Sequence, residues 1–193
     1  MTVIHRHADT TATPTTENAQ TGTTLGRRAL ALLRIGFGLT FLWAFFDKLL
    51  ALGFHTGYGQ DGTLDRFGDA AWINGGSPTE GFLKFGADGP FKDFYNGIAG
   101  AAWADWLFMA GLLGIGIALI FGIGMRIAAI AGTLLLVMMW TAVLPPATNP
   151  FMDDHLIYAG TLVGLALTGA GTTFGLGRWW GATALVRKAP WLK

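Results

Sequence analysis

A few ionisable residues lie inside or beside apolar stretches, where charge is costly without a purpose. Asp47 and Lys48 are adjacent, with His55 just beyond them. Asp153, Asp154 and His155 stand in a row inside NPFMDDHLIYAG, and Arg34 stands alone in an apolar run. An ammonium beside two carboxylates neutralises one and leaves the other to hold a charge or a proton. A neighbouring imidazole exchanges protons with solvent near neutral pH. The candidates for catalysis are therefore Asp154, His155 and Lys48. The candidates for holding an anion or a cofactor head are Asp47, Lys48, Asp153, His155 and Arg34. A plainer reading stands beside this one: an Asp that opens a helix caps it and complements its dipole. A second acid and a histidine exceed what a cap requires. Both readings of the DDH row remain open at this level.

Other chemistries find little support. His55, His155 and the two aspartates offer N and O ligands, but no HxxxH or HxxE spacing joins them, and no metal site is expected. Haem is not expected, because neither histidine lies at mid-span. There is no P-loop or GxSxG signature, so neither nucleotide binding nor serine hydrolysis is expected. The chain has no cysteine, so disulfides, CxxC pairs, iron–sulfur clusters and thiolate catalysis are excluded. Any redox chemistry belongs to a bound cofactor or to a partner protein.

The elements that position these residues are apolar. The chain has 193 residues, enough for one domain, with 52% apolar and 13% charged residues. A typical soluble domain carries about 25% charged residues. With a mean hydropathy of +0.45, the composition points to a membrane protein. A net charge of +1 gives no reason to expect a nucleic-acid partner. Four stretches match the roughly 20 apolar residues of a transmembrane helix, at about 29–52, 106–124, 127–144 and 156–174. The expected fold is an all-α integral membrane protein: a four-transmembrane-helix bundle over residues 25–182, with a folded outer loop at 54–102 between helices 1 and 2. Residues 1–24 are expected to form a disordered cytoplasmic tail and 183–193 a cytoplasmic C-terminal tail. Arg6, Arg27, Arg28, Arg126, Arg178, Arg187, Lys188 and Lys193 flank the spans on one side, which places both termini inside.

Within the outer loop, Phe67, Trp72, Phe82, Phe85, Phe91, Phe94 and Tyr95 are too aromatic for a disordered link. Ser77-Pro78-Thr79-Glu80 reads as a capping box opening a short helix from Pro78 to Phe85 that stops at Gly86. Gly89-Pro90 opens another through Asn96. Small residues at Ala110, Gly114, Ala118 and Gly122 form a stripe that suits close helix packing, as does the pair Gly160 and Gly164. Arg34 lies about 9 Å deeper than Arg28 and can snorkel back to the inner interface, which favours an anchoring role. Asp47 and Lys48 lie roughly 28–30 Å from Arg28, at the outer edge of the hydrocarbon. In an up-down bundle the end of span one and the start of span four then share one layer.

The stretches RIGFGLTFLWAFFDKLLALGF, GLLGIGIALIFGIGMRIAAIAG and NPFMDDHLIYA, with the order of the four spans, resemble actinobacterial members of the DoxX family. The resemblance covers most of Arg28 to Trp180, and Arg34 and Lys48 match the family's recurring basic positions. It implies a multi-pass protein of the bacterial plasma membrane, surrounded by lipid and associated with a redox or respiratory partner. The family is similar to the DoxD small subunit of thiosulfate:quinone oxidoreductase. The implied role is thus a membrane subunit of redox or respiratory chemistry with quinone as cofactor and electron acceptor. An accessory scaffold that meets its partners through the outer loop is the alternative, and either is compatible with an oligomer. A small transporter is a weaker reading, because spans two to four carry no mid-span charge.

Overall fold

A computed structural model describes residues 16–193 apart from Gln60 and Thr148, with side chains from Thr23 onward. Its elements are α1 (Thr16–Leu50), α2 (Lys92–Ile98), α3 (Ala102–Phe121), α4 (Met125–Ala142), α5 (Asp154–Leu167), α6 (Gly177–Ala182) and α7 (Ala184–Lys188). Short 3₁₀ or π turns lie between them, and no strand forms among the described residues. Among the described residues, three helices are long and apolar enough to cross a membrane: Thr23–Leu50 of α1, and all of α3 and α4. No more than 39% of any such span is buried inside the protein. Leu32, Leu39, Leu107, Ile130 and Leu134 face outward. Apolar surface on every side is the make-up of a membrane protein.

The fourth expected span is shorter than its apolar run. α5 has 14 residues, about 21 Å of helix. The chain leaves the helix at Thr168, and Gly169 takes a left-handed conformation (φ 65°) before a 3₁₀ turn at Ala170–Thr172. The N-terminal expectation also changes. Residues 1–15 of the expected disordered tail lie outside the described residues, and Thr16 to Thr24 are helical within α1.

Helix α1 packs along α3, α3 against α4, and α4 along α5. Phe41, Phe45, Met109, Leu112, Ile115 and Leu162 lie in their shared core. Of the glycines in the sequence stripes only Gly122 makes a close approach, and the helices meet at other glycines. A Cβ on Gly116 would meet Leu42 at 2.7 Å, one on Gly38 would meet Ile120 at 2.7 Å, and one on Gly132 would meet Leu162 at 2.5 Å. Gly114, Gly160 and Gly164 face open space. Spacing by four identifies a face of a helix but not which neighbour that face meets.

The segment after α1 is folded. Gly89–Phe91 forms a 3₁₀ turn that runs into α2, close to the expected second short helix. The first appears at Glu80–Gly86, with π geometry from Phe82 to Gly86. Half of the expected capping box is present: the Glu80 amide donates to Ser77 Oγ at 3.1 Å. The Glu80 carboxylate instead accepts from Lys84 at 3.3 Å, an exposed i,i+4 pair. The loop is pinned to the helices at two points. The Tyr95 hydroxyl donates to the Met138 carbonyl at 2.9 Å, and the Asp88 amide donates to the Ala142 carbonyl at 2.8 Å.

Candidate functional site

The structure sorts the ionisable residues into three separate places. Arg34 is fully buried and does not snorkel. Its Nη1 donates to the carbonyls of Leu119 and of Ile120, the latter at 3.0 Å. Its Nη2 donates to Thr173 at 3.3 Å and Phe174 at 2.9 Å. The last carbonyls of a helix have no partner within it and carry partial negative charge. Arg34 thus closes the end of α3 and also satisfies the non-helical backbone beyond α5. Space for the guanidinium depends on Gly122, which ends α3 at φ 69° and where a Cβ would meet Arg34 Nη1 at 2.8 Å. Four carbonyls occupy this cation, so the anchoring role and the place in an anion or cofactor site expected for Arg34 are both replaced by a structural one.

Asp153, Asp154 and His155 open α5. Asp153 is its N-cap: Oδ1 accepts from the Leu156 amide at 3.3 Å, and Oδ2 lies 2.7 Å from His155 Nδ1. Asp154 is exposed, with an oxygen 3.7 Å from His155 Nδ1. The surplus over a simple cap is thus an Asp153–His155 hydrogen bond that holds the imidazole. One ligand atom from each of the three residues lies within 4.8 Å of the others, close enough to share a cation. The Asp153 carboxylate and the imidazole nitrogen are already engaged with each other and with the cap.

Asp47 and Lys48 form the third place, with His55. Asp47 is buried, and its two oxygens accept from the amides of Phe54 (3.1 Å) and His55 (2.9 Å). The carboxylate thereby folds the chain back at the end of α1. Lys48 makes no hydrogen bond and no ion pair among the described residues. Its Nζ lies 5.8 Å from the centre of the Phe108 ring, within reach of a cation–π attraction.

These places do not form the single layer expected from the sequence. Arg34 reaches Thr173 and Phe174 beyond the C-terminus of α5, so α1 and α5 run antiparallel. They touch where the Phe37 and Tyr158 rings meet at 5.2 Å. From that contact Lys48 lies about 16 Å along α1, while His155 lies only about 5 Å along α5. No hydrogen bond or ion pair joins Lys48 or Asp47 to Asp153, Asp154 or His155 among the described residues.

Lys48 faces a cavity of about 940 Å³ between the loop and the ends of α1, α3 and α4. Apolar walls come from Phe82, Leu83, Leu107, Phe108, Leu135 and Met138. His55, Tyr58, Glu80 and Lys84 add polar groups from the loop side. The volume falls in the range of roughly 300–1,000 Å³ common for small-molecule sites. The cavity owes its covering to Asp105, a buried carboxylate in the first turn of α3. One of its oxygens accepts from Ser77 Oγ (2.8 Å), the Thr79 amide (3.2 Å) and Thr79 Oγ1 (2.6 Å). Asp105 is not among the candidate site residues that the sequence suggests. The signal was present: one acid at the start of an apolar run, and a Ser-Pro-Thr turn with hydroxyls to donate.

Chemically, the cavity can hold a molecule that is apolar along most of its length and has a polar or anionic head for Lys48. Asp153, Asp154 and His155 do not line it. No protein-family model, curated protein or solved structure matches the chain.

Proposed function

We propose that this chain is a DoxX-like accessory subunit of the bacterial plasma membrane that binds a lipid-soluble molecule in the cavity under its outer loop. The observation that carries the reading is the cavity itself, with an ammonium at its wall that has no hydrogen bond or ion pair among the described residues. A simple anchor has no need of it. Quinone is the ligand that the sequence resemblance implies, and a redox or respiratory enzyme is the implied partner.

In this reading the chain crosses the membrane four times with both termini inside. The fourth crossing is completed by the non-helical stretch after α5. Irregular backbone at membrane depth is tolerated only where protein satisfies it, and the bonds from Arg34 to Thr173 and Phe174 meet that condition. Orientation draws support from the basic residues at one end: the Arg126 amide donates to the Lys193 carbonyl at 3.0 Å, which brings the basic C-terminus to the α3–α4 turn.

Independent thiosulfate:quinone oxidoreductase activity is the less favoured form. It requires Lys48 to act with Asp154 or His155, and they line different surfaces. The test is extraction and mass spectrometry of molecules retained by the purified full chain, beside the cavity-filling variant Met138→Trp. A retained lipid-soluble molecule that the variant loses is expected. Equal retention by both, or no retained molecule, overturns the reading. Thiosulfate-dependent quinone reduction by the chain alone restores the catalytic form.

A scaffold role has its own observation: Phe85, Phe91, Phe94, Trp103 and Trp106 are exposed on and beside the loop. Affinity purification of a tagged chain from its own membranes then yields a stoichiometric partner, and recovery of the chain alone counts against it.

A further inference from the structure

We infer that the cavity beneath the loop takes an acyl amphiphile with an anionic head, carboxylate or phosphate, and that Lys48 pairs with that head. This rests on the proposed ligand-binding reading of the cavity and names the class of ligand.

Charge comes first. Two lysines line the cavity, Lys48 and Lys84. Lys84 is exposed and already paired with Glu80 at 3.3 Å. Lys48 is partly buried near the end of α1 and has only the face of Phe108. The neighbouring Asp47 carboxylate attracts the ammonium through space but offers it no hydrogen bond, because its two oxygens are turned to the amides of Phe54 and His55. Glu80, the carboxylate that lines the cavity, is committed to Lys84. An ammonium held at an apolar wall without a hydrogen-bonded acceptor is expensive. An anionic head supplies the acceptor and the opposite charge together, whereas a neutral quinone supplies only carbonyl oxygens.

Shape comes second. Apart from Lys48, the polar lining comes from the loop, and the remaining walls include Phe82, Leu107, Phe108, Leu135 and Met138. They offer an apolar path for a chain and few polar groups that would fix a compact polar solute. Leu107 and Leu135 belong to the two candidate spans α3 and α4, so the path borders the face that meets lipid. A molecule delivered from the bilayer can therefore enter sideways, tail and head together.

The test uses the full chain in nanodiscs of zwitterionic lipid, with a fluorescent long-chain fatty acid as probe. Competitors are oleate, lysophosphatidic acid, methyl oleate, a short-tailed quinone and inorganic phosphate. Oleate or lysophosphatidic acid is expected to displace the probe, with methyl oleate about tenfold or more weaker, as for one charge-assisted hydrogen bond. Displacement by one acid and not the other separates a free fatty acid from a phospholipid-type head. Lys48→Met is expected to weaken acid binding about tenfold while methyl oleate binding stays unchanged. Lys48→Arg is expected to retain acid binding, which also controls for damage to the fold.

Equal displacement by oleate and methyl oleate, or unchanged acid binding in Lys48→Met, overturns the charge assignment. Displacement by quinone and not by either acid overturns the ligand class and leaves the cavity as a ligand site. Displacement by phosphate alone overturns the amphiphile. No probe binding in a folded chain overturns both this inference and the ligand-binding reading.

Discussion

Two basic residues of one helix, Arg34 and Lys48, meet opposite fates. Arg34 is wholly buried, yet four backbone carbonyls take up its two terminal nitrogens. Lys48 is less buried, yet among the described residues no group hydrogen-bonds to it. Depth is therefore a poor guide to function for a charge in an apolar segment, and the state of its donors is a better one. A planar, forked cation suits a junction of several carbonyls, while a point charge on a flexible stem suits a ligand that comes and goes. The carboxylates divide in the same way. Asp47, Asp105 and Asp153 each accept backbone amides and hold a chain turn in place, whereas Asp154, beside Asp153, is exposed.

The comparison can be broken most severely at Arg34. Arg34→Met leaves the end of α3 and the stretch beyond α5 without donors. A loss of about 3 kcal/mol or more is expected, seen as a collapse of folded yield or a large drop in thermal stability in detergent. Arg34→Lys is expected to recover only part of it, because an ammonium cannot fork to four carbonyls. A tolerant Arg34→Met would remove the structural assignment.

Asp105 comes next. Asp105→Ala strands the donors of Ser77 and Thr79, and about 2 kcal/mol of local stability is expected to be lost. Hydrogen exchange should speed up over residues 77–86 while the α3–α4 core stays protected. Uniform exchange throughout would show that the loop is not a separately held layer.

Asp153→Ala removes the cap of α5 and should cost about 1 kcal/mol, read as a lower midpoint of thermal unfolding. Lys48→Met sharpens the contrast with Arg34. It removes a cation that has no hydrogen-bonded partner, so stability in the absence of ligand should change by less than about 1 kcal/mol in either direction. A loss as large as that at Arg34 would make Lys48 structural too.

The smallest effect is a coupling. Asp154→Asn and Lys48→Met are expected to be additive in stability and in ligand binding, since separate, unconnected residues do not share energy. A strong interaction between them would return them to a single cluster and restore the layer expected from the sequence.

Much of this protein was legible in its residues. The apolar runs at Ala29, Trp106 and Ile127 announce α1, α3 and α4, because the helical period and length of apolar runs are local properties. The short helices of the loop follow from Ser77-Pro78 and Gly89-Pro90 for the same reason. The cap of α5 by Asp153 was among the readings open from the sequence.

Tertiary structure decided what local pattern cannot carry. Which small residues meet a neighbour depends on helix rotation, so Gly38, Gly116 and Gly132 make the close approaches while Gly160 and Gly164 stay open. Whether a charged group is satisfied depends on atoms far away in sequence, so Leu119 and Thr173 give Arg34 its role and Ser77 and Thr79 give Asp105 its own. Where helix α5 starts along α1 decides that Asp153–His155 and Lys48 stand apart. The sequence by itself placed an ammonium near the end of an apolar helix. The fold around it set Asp47 to other work and opened a cavity in front of it, because hydrogen-bond partners and empty space are properties of the packed chain.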